Sequence, residues 1–288
     1  MKPVLMIWLL LLAVEARSAN VRTLFDRYCR PYADVRDVVV VRAEVAALDE
    51  ASKTRLLDTA RRQGGGDDRD MRDCAWSLLA AVQDRRVLPI LLEFIADATR
   101  DPSDRYVACM DTWEFPANDS LSTMLGVLAE PGGLGSSAIV GLRKCAIKTL
   151  GETDDDSVRR RLRELLADPA YEWLDLNIIE ALGHTRDAAA VPQLLAIATA
   201  PGVEPENYAA AEALAAIGTR EGVAPLVGLM QRLPAGLRRY DEGISIAHAL
   251  DGAIERTQDA ELRAELVRVN EAVRALASDI PRTKPPQK

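Results

Sequence analysis

An all-α fold, a right-handed α-solenoid of about six antiparallel helix pairs, is what this sequence predicts. Three observations lead there. The first is composition: of 288 residues 48% are hydrophobic, yet only 3 are Phe and 6 are Tyr. The core is therefore built from small and branched aliphatics, and the abundant Ala and Leu are strong helix formers. The second is a unit that recurs along the chain. The third is its period: Gly151, Gly183 and Gly218 are spaced 32 and 35 residues apart, and Cys74, Cys109 and Cys145 are spaced 35 and 36. Two independent markers give one repeat length.

The clearest unit starts at Leu176 and reads through Ile178, Ile179, Glu180, Ala181, Leu182 and Gly183 into a short polar turn. Gly183 is expected to close the first helix in the left-handed C′ conformation, with Asp187 capping the next. Pro192 lacks the donor that a helix start does not need, and Leu194 and Leu195 begin the buried stripe. The same order recurs at residues 213–226, at 145–162 and at 74–91. It predicts helix pairs at about 68–98, 102–130, 137–167, 171–200, 205–232 and 240–278. Residues 20–63 read as a helical cap containing an uncertain apolar run, Val38 to Val41, which also suits a short strand. A Gly-rich linker begins at residue 63, the repeats run over 64–280, and 281–288 read as a disordered tail.

The order Ala-Leu-Gly, acidic turn, Val-Pro, Leu-Leu resembles HEAT repeats, in the short form also found in phycobilisome lyases. The resemblance covers roughly residues 68–232. It implies a stack of helix pairs whose concave face binds another macromolecule, and it is nearly silent on which one. The second pair departs from the pattern, carrying Trp113, Glu114, Phe115 and Pro116 where its neighbours have Leu-Gly.

The N-terminus reads as a secretory signal over residues 1–19. Lys2 precedes an apolar run over 4–14, and the small residues Ala16, Ser18 and Ala19 offer cleavage points. Eleven apolar residues are too few for the roughly 20 of a spanning helix, so the mature chain is expected in the periplasm or outside the cell, without membrane insertion. Net charge is −8, and −9 once residues 1–19 are removed. That balance argues against nucleic acid, whose binding rests on clustered positive charge.

Chemistry is sparse. The only histidines are His184 and His248. The HEAT-like deoxyhypusine hydroxylases hold iron through His-Glu pairs, but here Thr185 and Ala249 follow the histidines. No metal or cofactor is expected. Ser245 and His248 share a helix face, but a nucleophile elbow needs a strand-to-helix turn, and none precedes Gly243. The run Asp154, Asp155, Asp156 reads as a helix cap, and it lacks the ligand spacing of a calcium loop. No catalytic residue is therefore assigned.

Four cysteines in an oxidising compartment raise the question of disulfides. Neighbouring stacked helices lie about 8–10 Å apart, whereas a bridge wants Cα atoms within about 7 Å. At most one bridge is expected, Cys29–Cys74 or Cys109–Cys145.

These readings point to a non-enzymatic, exported scaffold or adaptor of the bacterial envelope that binds a protein or peptide. An inhibitor or immunity protein against a secreted toxin or lytic enzyme is a second reading, and an enzyme with an unrecognised carboxylate site a third. The expected partner surface is the outward stripe of the second helices: Glu93 and Asp97, then Arg160, Arg163 and Glu164, then Gln193, then Gln231 and Arg232. Trp113 and Trp173, near turns, are the rival anchors.

Overall fold

A computed structural model describes residues 38–62, 67–130, 137–201, 205–232 and 237–278, with only the backbone described at 38–41, 67 and 237–240. The expected signal segment, residues 20–37 of the cap with Cys29 among them, residues 63–66 of the linker and the tail lie outside these residues. Every regular element described is helical, and consecutive helices pack on their neighbours, as the all-α solenoid class requires. No described helix is long and apolar enough to cross a membrane.

The chain divides into two compact units, residues 1–146 and 147–288. Unit 1 contains α1 (Val38–Ala46), α2 (Glu50–Ala60), α3 (Asp67–Ala81), α4 (Leu88–Ala96), α5 (Pro102–Asp111), α6 (Leu121–Ala129) and most of α7 (Ser137–Gly151). Helix α1 resolves the uncertain apolar run: Val38 to Val41 belong to a helix. Helix α3 packs on α2 and α5, and α4 on α5 and α6. Trp76 of α3 is fully buried; its indole Nε1 donates to the Ala60 carbonyl at 2.8 Å, and its ring meets Phe94 edge-on at 4.7 Å. The Arg72 guanidinium lies over both rings, 4.6 and 4.7 Å from their centres.

Unit 1 is also covalently tied. Cys109 and Cys145 are bonded, with Cα atoms 6.3 Å apart. Cys74 is disulfide-bonded as well, and none of the described cysteines is free. The expectation of a single bridge is therefore corrected. It compared a distance between helix axes with a distance between Cα atoms. Each Cα stands about 2.3 Å off its axis, so residues on facing surfaces approach well inside the axial spacing.

Unit 2 contains the end of α7, then α8 (Asp156–Leu166), α9 (Asp175–His184), α10 (Val191–Thr199), α11 (Pro205–Ile217), α12 (Arg220–Val223), α13 (Leu226–Arg232), α14 (Leu237–Arg256) and α15 (Ala260–Ser278). The Asp155 carboxylate caps α8, accepting from the amides of Ser157 and Val158 at 2.8 and 3.2 Å. Pro192 sits in the first turn of α10. Asp187 caps a short 3-10 turn, Ala188–Ala190, ahead of that helix. First helices stack directly, α9 on α11 and α11 on α14.

The glycines at this stacking do a different job from the one expected. Only Gly218 takes a left-handed conformation, φ 71°, while after α9 that role falls to Arg186, φ 52°. Gly183 is helical and buried, and a Cβ there would stand 2.9 Å from the Ala213 Cα. Gly151 meets Ala181 in the same way, at 3.0 Å. These glycines are needed because successive first helices touch backbone to backbone.

Candidate functional site

That close stacking shapes a concavity of unit 2. Helix α9 buries Ile178, Ile179, Ala181 and Leu182, which turns Leu176, Glu180 and His184, at i, i+4 and i+8, to the opposite face. Helix α11 buries Tyr208, Ala210, Ala211 and Leu214 and presents Ala209, Glu212 and Ala216. Helix α14 buries Ile246, Ala247 and Leu250 and presents Ser245, His248 and Ala249. Side by side these faces enclose a groove of about 390 Å³. Its floor is Gly183, Ala209, Ala213, Ala216 and Ala249; its polar groups are Glu180, His184, Glu212, Ser245 and His248. Small residues keep the floor low, so the carboxylates and imidazoles stand as walls.

The electrostatics are one-sided. Loss of surrounding water pushes the Glu212 carboxyl above its ordinary range, and the negative charges of Glu242 and Glu180 push it further; His184 opposes them. Neither Glu180 nor Glu212 forms an ion pair among the described residues. His184 places Nδ1 3.4 Å from Glu152 Oε1, with both side chains exposed. At the entry to α9 the pattern repeats. Asp175 is pushed up to about 6, first by desolvation and then by Glu206 and Glu172. Trp173, in the 3-10 turn Pro169–Leu174, is 74% exposed, and Leu176 beside it is also exposed.

Ser245 and His248 do share this groove, but no hydrogen bond joins them among the described residues, so the hydroxyl has no base positioned on it. No group of three or more His, Cys, Asp or Glu side chains among the described residues is arranged to hold a metal ion. What the groove can do is bind: it offers carboxylates at successive helices over an apolar floor.

Of the second-helix stripe, Glu93 and Asp97 belong to unit 1 and the rest to unit 2; of the rival anchors, Trp113 belongs to unit 1 and Trp173 to unit 2. Glu93 is exposed on α4, while Asp97 holds Thr99 and Arg100 at the end of that helix. Arg160 is exposed on α8, and Glu164 pairs with Arg161 at 3.2 Å. Arg163, expected to face outward, is ion-paired to buried Asp187, and its carbonyl accepts from Gln193 Nε2 at 3.3 Å. These two side chains tie α8 to the next repeat. Gln231 is exposed, and Arg232 donates to the Ala198 carbonyl at 3.3 Å. Trp113, 42% exposed, lies in the 3-10 turn Thr112–Glu114 of unit 1.

The groove was missed although a signal for it is in the chain. Glu180, Ala181, Leu182 and Glu212, Ala213, Leu214 are the same triplet 32 residues apart. Its alanine makes the close approach to the preceding helix, and its glutamate faces the groove. A search of the curated proteins found no match to this chain. Residues 207–232, which include all of α13 and most of α11, match the PBS lyase HEAT-like repeat.

Proposed function

We propose that this is an exported, non-enzymatic helical-repeat protein of the bacterial envelope that holds a partner protein or peptide on the first-helix groove of unit 2. The observation that carries the reading is the groove itself: Glu180 and Glu212, unneutralised within the described chain, stand over an alanine floor. HEAT-like repeats commonly mediate protein interactions, and the HEAT-like match covers α13 and most of α11, one wall of the groove. Export rests on the apolar run and small residues before position 20.

The test compares proteins cross-linked in envelope extract by the wild type, by Glu180→Lys with Glu212→Lys, and by Arg160→Glu. A partner kept by the wild type and Arg160→Glu but lost with the glutamate pair supports the groove. A partner lost only with Arg160→Glu transfers the site to the second helices. The inhibitor reading is favoured by the same excess of negative charge, which suits a basic enzyme. A single cross-linked hydrolase whose activity falls on binding would establish it.

A further inference from the structure

We infer that the groove takes an extended polypeptide segment carrying Lys or Arg at every third position, laid across α9, α11 and α14. This rests on the proposed binding role and names the chemistry of the occupant. Helices α9 and α11 supply Glu180 and Glu212 in successive rows of the groove, and the Glu212 carboxyl feels the charge of Glu180. Helices stacked through glycine and alanine repeat at about 8–10 Å. A polyproline-type segment turns once in three residues and advances about 3.1 Å per residue, or about 9 Å per turn. Its every third side chain therefore points the same way at the spacing of the rows. An α-helix in the groove would not match, because one turn advances only about 5.4 Å.

The floor supports the same occupant. Ala209, Ala213, Ala216 and Ala249 present no donor or acceptor from their side chains, so a close-lying backbone needs only van der Waals contact there. The rest of the molecule sharpens the contrast. Among the described residues most arginines are committed to the chain's own carboxylates, as Arg86 is to Asp84 and Glu50, and Arg220 to Glu261 and Glu265. Glu180 and Glu212 have no such cation among the described residues. A bound segment would provide it.

The test is fluorescence anisotropy with two labelled probes of one composition, read on the purified protein. One repeats Arg-Ala-Pro three times; the other places its three arginines together at one end. Exposed ion pairs are individually weak, so each row that goes unmatched should weaken binding by about two- to fivefold. The spaced probe is expected to bind more tightly than the clustered one, and Glu180→Gln with Glu212→Gln should remove that preference while leaving the melting temperature in place. Equal affinity for the two probes, or an undiminished preference in the double variant, overturns the inference. So does loss of the preference in Trp173→Ala with the glutamates intact. If the natural partner depends on the groove glutamates but the probes are not distinguished, the binding role stands and the spacing argument alone falls.

Discussion

In unit 1 three arginines, Arg72, Arg105 and Arg143, are buried among the helices, whereas in unit 2 the helix contacts run through glycine against alanine. Arg105 shows what the first arrangement demands. Its Nε donates to the Ile95 carbonyl at 2.7 Å and its fork grips the Glu130 carboxylate, while Arg143 donates to the Glu130 carbonyl at 3.0 Å. Long side chains of this kind fill space between helices and must be satisfied atom by atom. In unit 2 the Gly183 and Ala213 backbones come together, and no polar group is buried between them. The difference shapes what lies between the helices. A stack held through small residues leaves low ground between first helices, while in unit 1 arginine side chains and the Cys109–Cys145 bridge fill space between them, and a concavity of about 420 Å³ lies instead beside Glu50, Lys53, Asp84 and Arg86.

The largest effect is expected where the arginine network is cut. Arg105→Ala leaves the Glu130 carboxylate without its partner, and removing one member of a buried pair costs about 3–5 kcal/mol. Urea unfolding measures it. Glu130→Ala together with Arg105→Ala should cost less than the sum of the single changes, because no unpaired charge is left behind. An additive result would mean that the pair is not coupled and that the contrast between the units is overstated.

A methyl group probes the other mode of packing. Gly183→Ala places a Cβ 2.9 Å from the Ala213 Cα, backbone that cannot turn away, and overpacking of this kind costs about 1–3 kcal/mol. Gly126→Ala, on an exposed stretch of α6 with nothing within 4 Å, should instead gain up to about 1 kcal/mol of helix propensity. Thermal melts of the two variants should move in opposite directions; movement in the same direction would refute the close approach.

Helix pairing was legible in the sequence because the alternation of apolar stripe, polar turn and proline is a local pattern. The glycine role was not. A C′ glycine and a close-packing glycine look alike in one dimension, and only the neighbouring helix distinguishes them. The ion pair of Arg163 was not legible for a related reason. Helical periodicity shows that Arg160 and Arg163 leave the core on α8, but it does not show that Arg163 meets an aspartate of the next repeat. Asp187 reads locally as a cap, and it is one, accepting from the Ala189 amide at 3.1 Å; the same carboxylate also takes Arg163. Trp173 was singled out, and it is exposed.

A smaller effect depends on pH. Asp111, at the end of α5 in unit 1, is pushed up to about 7, chiefly by desolvation and further by Asp73 and Glu114, against a hydrogen bond from Ser77. An unfolded aspartate titrates near 3.9. Between those values the folded chain keeps a proton that the unfolded chain has lost, so this group's contribution to stability falls as pH rises from about 4 to 7 and is flat above. Asp111→Asn abolishes that fall. The variant should therefore gain on the wild type, by on the order of 1 kcal/mol, at pH 8 but not at pH 4. A difference independent of pH would mean that Asp111 does not hold its proton in the fold.

The smallest effect is expected at Arg160, and it bears most directly on the groove. The side chain is exposed on α8 and makes no ion pair among the described residues. Arg160→Glu should shift stability by less than about 0.5 kcal/mol, as surface changes usually do. Glu180 and Glu212 also lack partners, so their reversal to lysine should be similarly quiet in a melt, and the relief of like charge around Glu212 works in its favour. Stability then cannot explain a difference in capture between the variants. Loss of the partner with the glutamate reversals and retention with Arg160→Glu places recognition on the first helices, where the alanine floor lies. Loss with Arg160→Glu at unchanged melting would mean that the exposed side of α8 carries the partner, and the one-sided charge of the groove would then need another cause.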